Sequence, residues 1–448
     1  MHALETDLYQ LTMAAGYFHR GLAHTQATCE LSVRRLPHAR RYLVACGIDQ
    51  AIDYLMDLRF EESDIAFMRE VPALAPAMTD AFVDYLREFR FRGDVWAVPE
   101  GTVVFASEPL VRVRAPIIEA QIIETHLLSL VNHATMVASK AARIVHAAGG
   151  RPVLEFGTRR THPRAALSAA RAAYLVGAAG TSNVEAGRRF GIPVVGTAAH
   201  MWTMTHDSEE EAFGNYLAVF PDATTLLIDT YDTLRGAERA ARIAGDKLKG
   251  VRLDSGDLVA LSREVRRILD EAGCTKAQIM ASGDLDEYKI AELVAQRAPI
   301  DSFGVGTELV SPSDACSVGG VYKVVEFERD GRRVYVAKRS EGKVTYPGAH
   351  QVHRLMERGR MTRDTITLAS EEMSETERSD LPLLEPHVAS GRRVIAADLR
   401  RARDYTIEAL KALPRELHAL EPTDEPIYEV RISDALRALA ERVWSAAD

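Results

Sequence analysis

Between residues 152 and 307, short apolar runs alternate with amphipathic stretches, and this alternation restricts the fold more than any other feature of the chain. The runs are Pro152–Phe156, Ile192–Val195, Thr225–Ile228, Val251–Leu253, Gln278–Met280 and Ser302–Val305. Stretches 207–219, 233–246, 257–272 and 285–297 carry helix-like spacing of apolar residues. Strand-sized runs separated by helix-sized ones build βαβ units and a parallel sheet. Because such crossovers share one hand, the sheet either opens into a doubly wound layer or closes into a barrel.

Function in such folds lies at the carboxyl ends of the strands. Here those ends read Gly157-Thr158-Arg159-Arg160, Gly196-Thr197-Ala198-Ala199-His200, Asp229-Thr230, Asp254-Ser255-Gly256-Asp257, Ser282-Gly283-Asp284 and Gly306-Thr307. Any one of them is ordinary turn and cap chemistry. Six in register point to a shared site. Glycines at Gly283, Gly304 and Gly306 allow backbone N–H groups to approach an anion, as a 5′-phosphate site requires. Arg159, Arg160 and Arg252 suit carboxylate or phosphate, or pair with structural carboxylates. Asp254 and Asp257, three residues apart, suit ribose hydroxyls or Mg²⁺, or else a helix cap. His200, beside small residues, suits a base, a nucleophile or a satisfied structural group.

Elsewhere the pattern is less regular. Residues 6–19 read as an amphipathic helix, with Thr6 as its cap. Residues 28–50 and 91–114 are mixed, with β-like pieces at Arg41–Cys46 and Val95–Val98. Pro116 opens a long helical region that ends at Gly149 and Gly150. Residues 338–354 read as a loop or hairpin, and the charged tail 376–448 suggests no role. These shifts set expected boundaries at 115/116 and 325/326: a mixed α+β region (1–115), an α/β region carrying the strand-end site (116–325), and a weakly patterned C-terminal segment (326–448).

A composition of 47% hydrophobic and 27% charged residues over 448 residues supports a sizeable core. A net charge of −9 speaks against nucleic acid as a partner, while leaving room for phosphate ligands. Cys29, Cys46, Cys274 and Cys316 form no CxxC pair and fit idle thiols in a reducing compartment. Glu5 and Asp7 occupy the place where a signal peptide needs apolar residues. The apolar stretch 117–131 is broken by Glu119, Gln121, Glu124 and His126. A cytoplasmic protein without a membrane partner is therefore expected.

Together the motifs resemble the nicotinate phosphoribosyltransferase family. The matching pieces are Thr6-Asp7-Leu8-Tyr9-Gln10-Leu11-Thr12-Met13, Glu155-Phe156-Gly157-Thr158-Arg159-Arg160, Gly180-Thr181-Ser182-Asn183-Val184, Gly191 through His200, Arg252 through Asp257, and Phe303-Gly304-Val305-Gly306-Thr307. Glu341-Gly342-Lys343-Val344-Thr345 with Pro347-Gly348 also fits. One departure is Thr161-His162-Pro163 after Arg160, where relatives often carry Ala-Gln or Ala-His.

The resemblance implies a type II phosphoribosyltransferase fold, an irregular α/β barrel with a smaller α+β domain, and a homodimer with sites at the subunit interface. It implies that nicotinate, phosphoribosyl pyrophosphate, ATP and water give nicotinate mononucleotide, pyrophosphate, ADP and phosphate, with Mg²⁺ as cofactor. By position, Tyr9 would stack on the pyridine ring, and Thr197 and Arg252 would contact nicotinate with Arg159 beside them. Phe156 and Ser182 fall among the implied substrate-binding residues, and a nicotinamide-specific relative is expected to carry an acid near Ser182. His200 would take phosphate from ATP. Ser282, Gly283, Gly304, Gly306 and Thr307 would hold the 5′-phosphate, Asp254 the ribose hydroxyls, and Asp257 would help place Mg²⁺. Two other readings are a Schiff-base barrel lyase, disfavoured because no lysine follows any of the six runs, and a non-catalytic scaffold that kept the fold.

Overall fold

A computed structural model describes residues 3–446 except 38, 223, 341–342, 373–379 and 424–426. The chain separates into two compact units: residues 137–316, and residues 1–136 together with 317–448. The division falls at 136/137 and 316/317 rather than at 115/116 and 325/326. The first boundary lies inside a 24-residue helix, Glu124–Ala147, so no composition shift marks it.

The continuous unit is built on six parallel strands: β1 (Val153–Glu155), β2 (Gly180–Thr181), β3 (Thr225–Leu227), β4 (Gly250–Leu253), β5 (Gln278–Ala281) and β6 (Ser302–Val305). Their order is β2-β1-β6-β5-β4-β3, so the irregular barrel wall stays open between β2 and β3. Five of the six expected runs are strands. Ile192–Val195 is instead an extended segment with a single bridge, Thr181 to Val194. The sixth strand, β2, comes from Gly180–Thr181, which has no apolar run to announce it. Its pairing with Leu154 and Glu155 makes it a strand.

Helices connect the strands with clear local causes. Asp232, Asp257 and Asp286 each accept backbone N–H bonds at the starts of Thr233–Ala244, Leu258–Glu271 and Glu287–Ala295. Such caps satisfy donors that the first helical turn leaves unpaired. Ala237, Ala240, Ala241 and Ala244 line the buried face of the first of these helices, and Val265, Ile268 and Leu269 that of the second. The core between sheet and helices includes Leu226, Ile228, Val251, Leu253, Ile279, Ala281, Phe303 and Val305, all nearly inaccessible.

The discontinuous unit carries a seven-stranded sheet whose middle is Gly320–Arg329, Gln26–Val33 and Pro109–Pro116, paired antiparallel in that order. A second sheet of four strands comes from residues 350–357, 360–368, 381–382 and 429–432. The N-terminal helix, Leu8–His19, starts after Asp7 and not Thr6. The Asp7 carboxylate accepts a hydrogen bond from Thr125 Oγ1 at 2.7 Å. The region read as helical after Pro116 is two helices, Ile117–Ile122 and Glu124–Ala147. Residues 338–354 hold a short hairpin, Arg339–Ser340 with Lys343–Val344, and then the start of a long strand, His350–Glu357. Glu341 and Gly342 lie outside the described residues. The tail supplies two helices, Leu399–Lys411 and Asp434–Ser445. No described helix is long and apolar enough to cross a membrane.

Candidate active site

Arg252, the third residue of β4, organises the carboxyl edge of the sheet. Its Nε donates to Ser282 Oγ at 2.7 Å, Nη1 to Thr197 Oγ1 at 3.1 Å and Nη2 to Asp254 Oδ1 at 2.7 Å. Ser282 in turn donates to Asp254 Oδ1 at 2.5 Å. The guanidinium lies 5.6 Å from the centre of the Phe156 ring, within cation–π range. A guanidinium has five N–H donors, and these bonds use three. The remaining two match what a carboxylate takes in bidentate pairing.

Asp254 is held ionised. Burial acts to raise its pKa, but the Ser282 hydrogen bond and the Arg252 charge outweigh it, with His200 adding, and the carboxyl sits below its ordinary value. Asp229, at the end of the β3 segment, supports this loop from behind. Its Oδ2 accepts from Asp254 N at 3.0 Å and from Ser255 Oγ at 2.7 Å. Its buried Oδ1 has no hydrogen-bond partner among the described residues.

His200 opens a five-residue helix, His200–Met204. Its Nδ1 stands 3.2 Å from Thr230 Oγ1, and its Nε2 stands 3.9 Å from Asp254 Oδ2. The ring is well exposed, so a ligand can reach Nε2 beside the Asp254 carboxylate.

Gly283 and Gly304 are steric requirements, and Gly306 is tightly packed. Gly283 has φ +90°, and a Cβ there would sit 1.9 Å from the Asp254 carbonyl oxygen. A Cβ at Gly304 would meet the Phe156 ring at 2.6 Å, and one at Gly306 would lie 3.2 Å from the Phe156 carbonyl oxygen. Thr307 follows Gly306 and begins the turn Thr307–Val310.

On the other side of the sheet edge, buried Glu155 joins β1 to β2. It accepts from Thr181 Oγ1 at 2.5 Å and from the Gly157 N–H. Burial holds its pKa above the ordinary carboxylate value despite both bonds. The Glu155 carbonyl accepts from Ser182 N at 2.9 Å, which fixes half-buried Ser182 at the end of β2.

The structure thus brings together Arg252, Asp254, Ser282, Thr197, Phe156 and His200, with Gly283, Gly304 and Gly306 packed against them. Arg159 and Arg160 stand exposed on the turn Thr158–Arg160, outside the Arg252 network. Asp257 is an N-cap: its Oδ1 accepts from Val259 N and Ala260 N, both at 3.0 Å. Tyr9 belongs to the other unit, on helix Leu8–His19, with 48% of its surface exposed. Its neighbour Gln10 is buried and donates to Glu124 at 3.1 Å. Asp229, Thr230 and Glu155 were in the motifs, but nothing in the sequence separated their supporting bonds from ordinary strand-end chemistry.

A parallel α/β wall with an arginine–aspartate brace, a glycine-lined edge and an exposed histidine is the arrangement expected of a type II phosphoribosyltransferase. The family model described as the nicotinate phosphoribosyltransferase (NAPRTase) N-terminal domain matches residues 4–132, and that of the NAPRTase family matches residues 152–347. A nicotinate phosphoribosyltransferase of Mycobacterium tuberculosis is 45% identical over 442 residues, covering 97% of this chain and 92% of its own. One from Bacillus subtilis is 44% identical, covering 84% of this chain and 78% of its own. The crystal structure of the human nicotinic acid phosphoribosyltransferase superposes with a TM-score of 0.83 at 28% identity, covering 98% of this chain and all of that one. The chain belongs to the nicotinate phosphoribosyltransferase family.

Proposed function

We propose that this chain transfers the phosphoribosyl group of phosphoribosyl pyrophosphate to nicotinate, giving nicotinate mononucleotide for NAD salvage, and couples the step to ATP hydrolysis through His200. The observation that carries this reading is the Arg252 guanidinium, braced by three side chains over the Phe156 ring with two N–H groups left for a carboxylate. The pyridine nitrogen attacks the ribose anomeric carbon as the bond to pyrophosphate breaks. That centre becomes cation-like, as in glycoside cleavage. The nitrogen already carries a lone pair, so the protein's work is positioning and charge neutralisation. Asp254, ionised, accepts from ribose hydroxyls, and the Ser282, Gly283, Gly304, Gly306 and Thr307 edge holds the 5′-phosphate.

Mg²⁺ fits this edge. It takes one or two carboxylates and completes its shell with water and substrate phosphates. Asp257, with one oxygen committed to its cap, would offer the other as a donor of that kind. Bound there, the ion would neutralise charge on the departing pyrophosphate.

The purified protein should form nicotinate mononucleotide from nicotinate with stoichiometric loss of ATP, and should use nicotinamide poorly. Ser182→Asp should lower kcat/KM for nicotinate about tenfold, equivalent to one like-charge contact of about 1.4 kcal/mol, while sparing nicotinamide. Equal use of both substrates by the unaltered enzyme would sink the assignment.

Tyr9 offers an exposed ring, and in a homodimer it would stack on the nicotinate of the neighbouring subunit's site. Tyr9→Ala and Arg252→Ala proteins, each nearly inactive, should regain roughly a quarter of wild-type activity when refolded together, since half the dimers then carry one intact site. Mixed dimers without recovery would place Tyr9 outside a shared site.

A further inference from the structure

The chemistry above leaves unused a buried cation, Lys140, whose side chain is 2% exposed on helix Glu124–Ala147. Its Nζ forms ion pairs with Glu287 Oε2 at 2.7 Å and Asp314 Oδ2 at 3.3 Å, and reaches Glu308 Oε2 at 4.0 Å. Arg143, one turn further along the same helix, holds the other Glu287 oxygen at 2.9 Å. An ammonium withdrawn from water this far persists only where carboxylates surround it.

The positions of those carboxylates are informative. Glu287 is the first residue of helix Glu287–Ala295, which follows the Ser282-Gly283-Asp284 loop at the end of β5. Glu308 is next to Thr307 at the end of β6, and Asp314 lies in the segment that follows. One amine therefore bridges the two strand-end loops that carry the glycine edge. Burial works to raise the Glu287 pKa, and Lys140 and Arg143 outweigh it, so the carboxyl stays ionised against the lysine. Ser313 Oγ donates to Glu308 at 2.9 Å and closes the second loop on itself.

We propose that Lys140 is a positioning residue that locks the loops after β5 and β6 together and so sets the spacing of the 5′-phosphate cradle. The proposal rests on assigning that cradle to Ser282, Gly283, Gly304, Gly306 and Thr307. A buried ion pair that served stability alone would, when broken, lower the folded fraction and leave the ratio of affinities for any two ligands of the site unchanged. A spacer of the cradle weakens only ligands that bear the 5′-phosphate.

Nicotinate mononucleotide and nicotinate riboside differ by that group alone, and calorimetry on the full-length enzyme separates the two cases. Lys140→Met should weaken the mononucleotide roughly tenfold, the low end of what supporting partners contribute at metal sites, and leave riboside affinity within about twofold. Lys140→Arg, which keeps the cation, should restore part of the difference. Should Lys140→Met fail to fold, Asp314→Asn removes one partly exposed tie and should shift the same ratio about threefold, within the range of coupling through a support network. Thr307→Ala serves as the reference for the cradle itself. If it leaves the ratio unchanged, the cradle assignment is wrong. If it lowers the ratio while the Lys140 and Asp314 variants do not, or while they weaken both ligands alike, the proposal is overturned.

Discussion

Arg252→Ala should reduce kcat/KM for nicotinate by on the order of 10²–10³. A charge-assisted hydrogen bond to the substrate carboxylate is worth about 1.5–3 kcal/mol, roughly ten- to a hundredfold. The rest comes from the brace: without the guanidinium, Thr197 and Ser282 lose their donor and Asp254 loses its counter-ion. The sign of the pH effect follows. Asp254 is depressed in the intact protein, so its stabilising ionised form is present above its unfolded pKa and is lost as pH falls through the depressed value. In Arg252→Ala the main cation is gone and burial pushes the carboxyl up, so the acid limb of the pH–rate profile should move to higher pH. Parallel profiles with nicotinate and nicotinamide are the check. An equal loss for both substrates would mean that Arg252 does not read the carboxylate.

His200→Ala should abolish ATP hydrolysis while leaving slow, uncoupled phosphoribosyl transfer. In the tautomer whose Nδ1–H donates to Thr230 Oγ1, Nε2 carries the lone pair that would attack ATP. In the proposed coupling step that nitrogen would bond the γ-phosphorus of ATP as the bond to the bridging oxygen breaks and ADP leaves, and water would later take the phosphoryl group and free the histidine. A phosphorylated ring beside Asp254, 3.9 Å away before the event, brings negative charge toward an existing carboxylate. The added negative charge would repel the pyrophosphate anion and so favour its release. Radiolabelled ATP should leave an acid-labile label on the wild type and none on the variant. A labelled His200→Ala protein with intact ATPase activity would remove His200 from the coupling step.

How far the sequence carried these conclusions varied by element. Five of the six strand-sized runs became strands because each is short, apolar and closed by a polar or glycine-bearing end. β2 was illegible for the opposite reason: Gly180 and Thr181 have no apolar signature, and the strand exists through its pairing with Leu154 and Glu155. Ile192–Val195 had the signature without the pairing, and the hydrogen-bond ladder decided between them. In the discontinuous unit, nothing local announces that Gln26–Val33 lies between Pro109–Pro116 and Gly320–Arg329, because the partners are remote in sequence. The site divides similarly. Asp254 and Ser282 follow strands, Arg252 lies in one, and Thr197 and His200 follow a run with the strand signature, so all five could be singled out from residue order. The supports could not. Asp229 resembles a turn residue, Asp257 resembles a cap and is one, and Lys140 on an amphipathic helix resembles a solvated charge. Their roles arise from contacts among distant elements, which residue order does not display.

The two halves of the discontinuous unit also fix an order of events during synthesis. Val33 pairs with Gly320, and Ala27 with Phe327, so the strand Gln26–Val33 leaves the ribosome long before one of its two neighbours exists. Residues 137–316 are complete by then and contain all six of their own strands. Domains generally fold as units during translation, so residues 137–316 can form on the nascent chain while the N-terminal half waits with an unpaired edge. Such an edge is a template for aberrant association. Chains that stop short of Gly320–Arg329 keep it permanently. A chain cut before Gly320 therefore carries the whole of residues 137–316 together with an exposed strand edge in its other unit, the feature expected to draw it into aggregates.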